Sequence, residues 1–306
     1  MSFSPNARGA LFMCVALAGF TINDALTKLV AEVMNMGQVM LVRGVMATAL
    51  MLLFTWRTKA LQQPRAILHP MVALRVAGET GATICFLSAL AHMPIANLTA
   101  VMQVLPLTVT MGAAFFLSEP VGWRRWSAIA VGFIGILIII RPGFDAFNAY
   151  SLYGVAAVAF ATMRDLTTRK IPEDIPSSLI STATAAAVTL AGAVLVVPYG
   201  GWSPMSNADF AILVGATLCV VCGYHFIVVS LRVGELSFIA PFRYTALLWA
   251  IALGIVLFGD WPDWAMILGA GLVVGSGLYT LYREQIIDRV KPAAESTTPS
   301  MATEGT

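Results

Sequence analysis

Charge is scarce in this chain: 11% of its 306 residues are Asp, Glu, Lys or Arg, and the formal net charge is +2. The 18 basic residues are scattered between apolar runs, which excludes a protein that works through a basic face on nucleic acid. A soluble domain is excluded as well, because 58% hydrophobic residues and a mean hydropathy of +0.83 leave too little polar surface. Cysteine is limited to four residues. Cys219 and Cys222 form a CxxC on an apolar stretch without a second pair or a histidine cluster, so small buried thiols are expected there rather than zinc. No phosphate-cradling loop ending in Gly-Lys-Ser/Thr occurs, which argues against ATP hydrolysis by the chain itself. The series Gly269, Gly271, Gly275 and Gly277 lies inside an apolar run, where it reads as close helix packing rather than nucleotide binding. No polar ring or filter sequence marks a passive channel. No cofactor and no metal are expected.

What is present is apolar sequence in runs of the length a helix needs to cross a bilayer, about 20 residues. Such runs fall near 9–30, 36–56, 71–91, 95–117 and 124–141, then near 150–170, 177–198, 208–231, 235–259 and 262–282. The expected fold is therefore all-α and integral to the membrane, with ten transmembrane helices. Arg8 before an apolar stretch resembles a signal peptide, but Asn23, Asp24 and Lys28 interrupt the segment where its apolar region should end. With the N-terminus in the cytoplasm, most Lys and Arg residues outside the spans fall on the inner side, including Arg57, Lys59, Arg65, Arg124, Arg125 and Lys170. Arg141 alone falls outside, so both termini are expected in the cytoplasm.

The chain also reads as one unit written twice. Asp24, Thr27, Lys28 and Glu32 recur as Asp165, Thr168, Arg169 and Glu173, all displaced by 141 positions (24 to 165, 32 to 173). The same offset carries Leu90 onto Leu231, Leu107 onto Leu248, Glu119 onto Asp260 and Trp123 onto Trp264. Five is an odd number of spans, so the second copy must enter from the opposite side, giving two inverted five-helix repeats. The expected boundaries are 1–143, 148–285 and a disordered cytoplasmic tail at 286–306. Two inverted bundles of nearly equal energy can open to either side of the membrane, the geometry of alternating access. The plainer alternative is a duplication that only built a stable bundle.

The end of each repeat carries a family resemblance. Val104-Leu105-Pro106-Leu107 leads to Phe116-Leu117-Ser118-Glu119-Pro120 and then Gly132-Phe133-Ile134-Gly135. Its counterpart is Ala240-Pro241-Phe242-Arg243-Tyr244, followed by Phe258-Gly259-Asp260-Trp261-Pro262 and Gly269, Gly271 and Gly275. With the ten-span plan, these segments resemble the EamA-type transporters of the drug/metabolite transporter superfamily over nearly the whole chain. Asp260 stands where the family usually has glutamate. The resemblance implies a secondary transporter of the cell inner membrane, with a small-molecule substrate and the lipid bilayer as partners and a homodimer as a compatible assembly. It implies exporters of amino acids, metabolites and toxic compounds as well as importers of compounds such as riboflavin or S-adenosylmethionine.

Charges inside spans are the candidate substrate-binding or gating residues, since each costs about 2.5–3.5 kcal/mol to insert. Asp24 and Lys28 share one face of the first span, and Asp165 and Arg169 one face of the sixth, so each couple can form its own ion pair. Either they neutralise helix ends near the headgroups, or they exchange partners between access states. Arg43, Arg164 and Arg243 cannot shed their protons and need anionic or dipolar partners, for which Asp24 and Asp165 are the evident candidates. Arg243, with Tyr244 and Trp249, can pair with a substrate carboxylate, phosphate or ring edge while an aromatic side chain stacks on a flat part, and Pro241 frees carbonyls that can face a cavity. His225 is either a proton relay or a hydrogen-bonding partner of a neighbouring helix. Glu79, Gln103 and Asn97 are further polar positions in the third and fourth spans. Glu119 and Asp260, just before new helices, are expected to cap them.

The rival class is an intramembrane enzyme using Asp24 and Asp165. Neither lies in a Gly-x-Gly-Asp setting, and the basic residue four positions on holds each ionised instead of letting a dyad share a proton. The expected function is thus transport of a small polar or amphipathic metabolite, with a flat ring-bearing vitamin such as riboflavin favoured by the aromatic residues near Arg243.

Overall fold

A computed structural model describes residues 4–57, 67–118, 121–142, 148–172, 174–233 and 236–290. The chain enters helix α1 (Pro5–Ala31) at a proline whose missing N–H costs nothing in a first turn, and the Ser4 hydroxyl accepts from the Ala7 N–H at 3.2 Å. Helices α2 (Met36–Arg57) and α3 (Pro70–His92) follow. The fourth span is broken into α4 (Ile95–Met102) and α5 (Leu105–Phe116). Pro106 explains the break, because its ring and missing N–H cannot continue the hydrogen-bond ladder of α4. Helix α6 (Trp123–Ile140) closes the first half and stops at Arg141, whose φ of 51° lies in the left-handed region, directly before Pro142.

The second half contains α7 (Ser151–Thr168), α8 (Ser177–Val196) and α9 (Asn207–Val233). Its fourth span is again discontinuous, where the sequence pattern suggests one run. Short α10 (Leu236–Ile239) passes through a 3-10 turn at Ala240–Tyr244 containing Pro241, then α11 (Thr245–Leu253) and a π-turn at Gly254–Phe258. Gly259, at φ 70°, ends it, and α12 (Trp264–Val290) completes the described chain. The change to tail expected at 286 comes later, since Ile286 to Val290 continue α12. Residues 291–306, Glu119 and the greater part of the 57–70 segment lie outside the described residues.

Nine of the described helical stretches are long and apolar enough to cross a membrane. Helix α7 is diluted by Arg164 and Asp165, yet packs along α3 inside the same bundle. The protein is an all-helical, multi-pass membrane protein. Its main pairings are α1 with α9, α3 with α7, α2 with α8 and α6 with α12. Helix α11 adds to α1, α4 and α5 add to α7, and α4 meets α11. The result is one group of α1, α9 and α11 facing another of α3, α4, α5 and α7. Apolar side chains fill the seams, including Val104, Leu107, Ile129 and Val273 in one cluster and Met40, Leu90, Leu98 and Ala250 in another.

Lipid-like solvent gives no hydrophobic drive between helices, so α2 and α8 associate by close approach. A Cβ on Gly192 would lie 2.6 Å from the Leu41 nitrogen, and one on Gly37 would lie 2.6 Å from the Leu195 carbonyl carbon. Both neighbours are backbone and cannot step aside. Gly192→Val should therefore destabilise the protein by about 1–3 kcal/mol, read as a lowered thermal midpoint in detergent. An unchanged midpoint would mean that these helices separate freely.

Candidate functional site

The first half of the site is built on α1 and α2. Thr27 donates its hydroxyl to the Asn23 carbonyl at 2.7 Å, which orients its oxygen to accept from Arg43 Nη1 at 2.8 Å. Arg43 Nη2 donates to Asn23 Oδ1 at 2.7 Å, and Asn23 Nδ2 donates to Asp24 Oδ1 at 2.9 Å. Guanidinium and carboxylate are thus joined through a neutral amide.

The second half is built on α3 and α7. Arg164 donates from Nη1 to Glu79 Oε2 at 2.8 Å and from Nε to Asp165 Oδ1 at 2.7 Å. One fork holds two carboxylates, which suits its planar geometry. Glycine makes the approach possible: a Cβ on Gly78 would lie 3.0 Å from the Arg164 nitrogen. Arg75, one turn earlier on α3, donates to Thr184 on α8 at 2.9 Å.

Tyr224 on α9 joins the two halves. Its side chain is 60% accessible, yet Glu79, Arg164, Arg75 and Arg43, from three other helices, all act electrostatically on its hydroxyl. Tyr224 is thus an accessible phenol among charges carried by three other helices. Phe20, one turn before Asp24, meets the Tyr224 ring edge-on at 5.1 Å. Nothing in the sequence singles out Tyr224, a phenol inside an apolar run.

Lys28 does not pair with Asp24, which corrects the expectation from their spacing. Its ammonium donates to the Met93 carbonyl at 2.6 Å, lies 3.7 Å from Asp260 Oδ2 and sits 4.9 Å from the Phe258 ring centroid. The flexible stem lets it leave the interior for a freed carbonyl and a carboxylate at the helix ends. Asp165 is taken by its neighbour Arg164, while Arg169 stands exposed at the end of α7.

The remaining candidates occupy other places. Gln103, at the break between α4 and α5, donates to the Arg243 carbonyl at 3.4 Å, and the Arg243 side chain is exposed. Tyr244 is buried, with a hydroxyl that lacks a hydrogen-bond partner among the described residues, and points at Gly277 of α12, where an added Cβ would overlap it. Trp249 is 40% accessible and lies five residues from Tyr244, so the two rings do not share a helix face. The expected pocket of Arg243, Tyr244 and Trp249 is therefore not gathered, because the 3-10 turn swings Tyr244 inward. His225 is exposed, with its ring edge-on to Phe226 at 5.5 Å.

A further set of contacts ties together the end of the bundle carrying the α1–α2 connection, here the distal end. Besides Lys28, Gln38 exchanges two 2.9 Å hydrogen bonds with Ser203, Asn35 bonds the Gly201 carbonyl, and Asn148 donates to the His92 carbonyl at 2.8 Å. The His92 ring stacks on Tyr150 at 3.7 Å. Asp260 does not cap the last helix as expected; Asp263 does, accepting from the Met266 N–H at 2.8 Å and from Arg141. The chain needs the turn through Trp261 and Pro262 before α12 can start, which leaves Asp260 free to face Lys28.

Partial burial pushes the Asp263 carboxyl up, but the Met266 N–H and the Arg141 guanidinium outweigh it and hold the group below the usual carboxylate range. A depressed value adds stability above the ordinary carboxylate range that is lost as pH falls through the folded-state value. Asp263→Ala should cost about 1 kcal/mol at neutral pH. The deficit in thermal midpoint should shrink in acid; a pH-independent deficit would show that the carboxylate charge is not its source.

A multi-pass helical bundle with charged side chains gathered around an accessible phenol and one end tied is an arrangement that suits a membrane transporter. Residues 7–141 match the EamA-like transporter family. The chain is 26% identical to an S-adenosylmethionine uptake transporter of Rickettsia prowazekii over 283 residues, 90% of this chain and 93% of the relative. It is 32% identical to a riboflavin transporter of Vibrio cholerae over 192 residues, 62% and 63% of the two chains. A solved crystal structure shares the fold at a TM-score of 0.56 with 18% identity, covering 89% of this chain and 98% of that one. The protein is a membrane transporter of small metabolites, and its residues 7–141 resemble the EamA-like transporters.

Proposed function

We propose that the chain is a secondary transporter of the bacterial inner membrane that works by alternating access, with both termini in the cytoplasm and the distal end facing outward. The carrying observation is the charged cluster around accessible Tyr224, lying between two helix groups that are tied together at the distal end. The halves 1–143 and 148–285 act as inverted repeats. Exchanging them turns the α1–α9 pairing into the α7–α3 pairing and maps α2–α8 and α6–α12 onto themselves. Thr48 and Thr189, residues 141 apart, share a hydrogen bond of 2.9 Å, as expected of counterparts meeting at a two-fold axis. Asp24, Arg43, Glu79, Arg164 and Asp165 line the central site, and Lys28 is the outer gate.

The substrate is a small polar metabolite with a flat ring. The substrates named for the Rickettsia and Vibrio relatives, S-adenosylmethionine and riboflavin, both carry one, and Phe20 and Tyr224 offer an aromatic wall. The intramembrane-enzyme alternative finds no support in the geometry, since Asp24 is bonded by Asn23 and Asp165 by Arg164 rather than by each other. Purified protein in liposomes should take up riboflavin, S-adenosylmethionine or another member of a panel of vitamins, nucleosides and amino acids. Hydrolysis of a panel member without uptake would sink the proposal.

A further inference from the structure

The two halves of the central site are unequally satisfied. On the α3–α7 side, Arg164 is paired directly with two carboxylates, Glu79 and Asp165. On the α1–α2 side, among the described residues, Arg43 donates to two neutral oxygens and Asp24 accepts from one neutral amide. Opposite charges thus stand near one another without direct contact, a costly arrangement in a membrane interior unless something bridges them.

The 141-residue offset locates the origin of this inequality. Asn23 is the counterpart of Arg164 (23 to 164), and Arg43 is the counterpart of Thr184 (43 to 184). The second repeat places a cation beside its aspartate, whereas the first places an amide there and moves the cation to α2. The Asn23 carboxamide presents an acceptor oxygen to the guanidinium and a donor nitrogen to the carboxylate. An α-amino carboxylate presents the same polarity with full charges: carboxylate oxygens for Arg43 and an ammonium for Asp24. Phe20 lies one turn from Asp24 on the same helix face, and its partner Tyr224 is within electrostatic reach of Arg43.

We propose that Asp24 and Arg43 form a subsite for the α-ammonium and α-carboxylate of an amino-acid-bearing metabolite whose ring rests against Phe20 and Tyr224. Asn23 holds the two charges apart in the empty site. This assignment rests on the transporter reading and narrows it, since a ring without a zwitterionic head leaves both charges bridged only by the neutral Asn23 amide.

The test uses the full chain in liposomes and three labelled probes: S-adenosylhomocysteine, which has a ring and an α-amino carboxylate; 5′-methylthioadenosine, the same ring without that head; and riboflavin. Exchange of the first should exceed that of the second at least tenfold. Asp24→Asn and Arg43→Gln should each reduce it at least tenfold, while Arg43→Lys retains part. If the variants do not fold, the wild-type thermal midpoint decides: S-adenosylhomocysteine should raise it and methylthioadenosine should not. Exchange or stabilisation by methylthioadenosine or riboflavin without the zwitterion overturns the subsite and leaves the transporter reading standing. No exchange of any probe or of the wider panel overturns both.

Discussion

Arg164→Met is expected to be the most damaging single substitution in the protein. Glu79 and Asp165 meet through this guanidinium at 2.8 and 2.7 Å, and its removal leaves two carboxylates facing each other inside the bundle. Breaking a buried pair from one side costs about 3–5 kcal/mol. The Arg164 and Glu79 side chains are about a quarter exposed, which places the expected loss near the lower end. The outcome should be a large fall in thermal midpoint and loss of transport. Arg164→Lys should recover little, because a single ammonium cannot reproduce the two-sided fork. Adding Glu79→Gln to Arg164→Met should restore part of the stability by removing one of the stranded charges. A double variant no better than the single one would show that packing, rather than charge, is what Arg164 supplies.

Lys28→Met should leave the fold intact and change the balance of conformations. The lysine joins α1 to the end of α3 through the Met93 carbonyl and faces Asp260 beyond α11. A hydrogen bond from a charged donor contributes about 2 kcal/mol, so a bond present only in the distally closed state changes the ratio of states about thirtyfold. A cysteine placed at Phe20 in a background lacking the four native cysteines would report this. Its labelling by an impermeant maleimide from the distal side should accelerate by about that factor in the Lys28→Met background. An unchanged rate would mean that the remaining distal contacts, among them the Gln38–Ser203 exchange, close the bundle without the lysine.

The solvent was legible from hydropathy alone, and nine of the ten expected spans are helices long and apolar enough to cross a membrane, since apolar runs of helix length admit few other structures. The charged residues were legible as a class but not as partners. Spacing of four suggested Asp24 with Lys28, yet a long flexible side chain near a helix end finds acceptors that are remote in sequence, such as Met93 and Asp260. Asp260 and Asp263 both precede the last helix, and only the turn through Pro262 decides which of them caps it. The breaks in the fourth and ninth spans were announced by Pro106 and Pro241 but hidden by continuous hydropathy. Tyr224 carried no signal, because standing among charges from several helices is a property of the assembled bundle and not of the run that contains the residue.

The most direct measurement is a pair of spin-label distances in lipid, taken with and without a transported substrate. One pair joins Ala91 on α3 and Trp261 beyond α11 at the distal end, and the other joins Thr168 on α7 and Phe238 on α10 at the opposite end. Alternating access requires the two distances to change in opposite senses, the distal pair lengthening in the population where the other shortens. Distances that stay fixed, or that lengthen and shorten together, would contradict it.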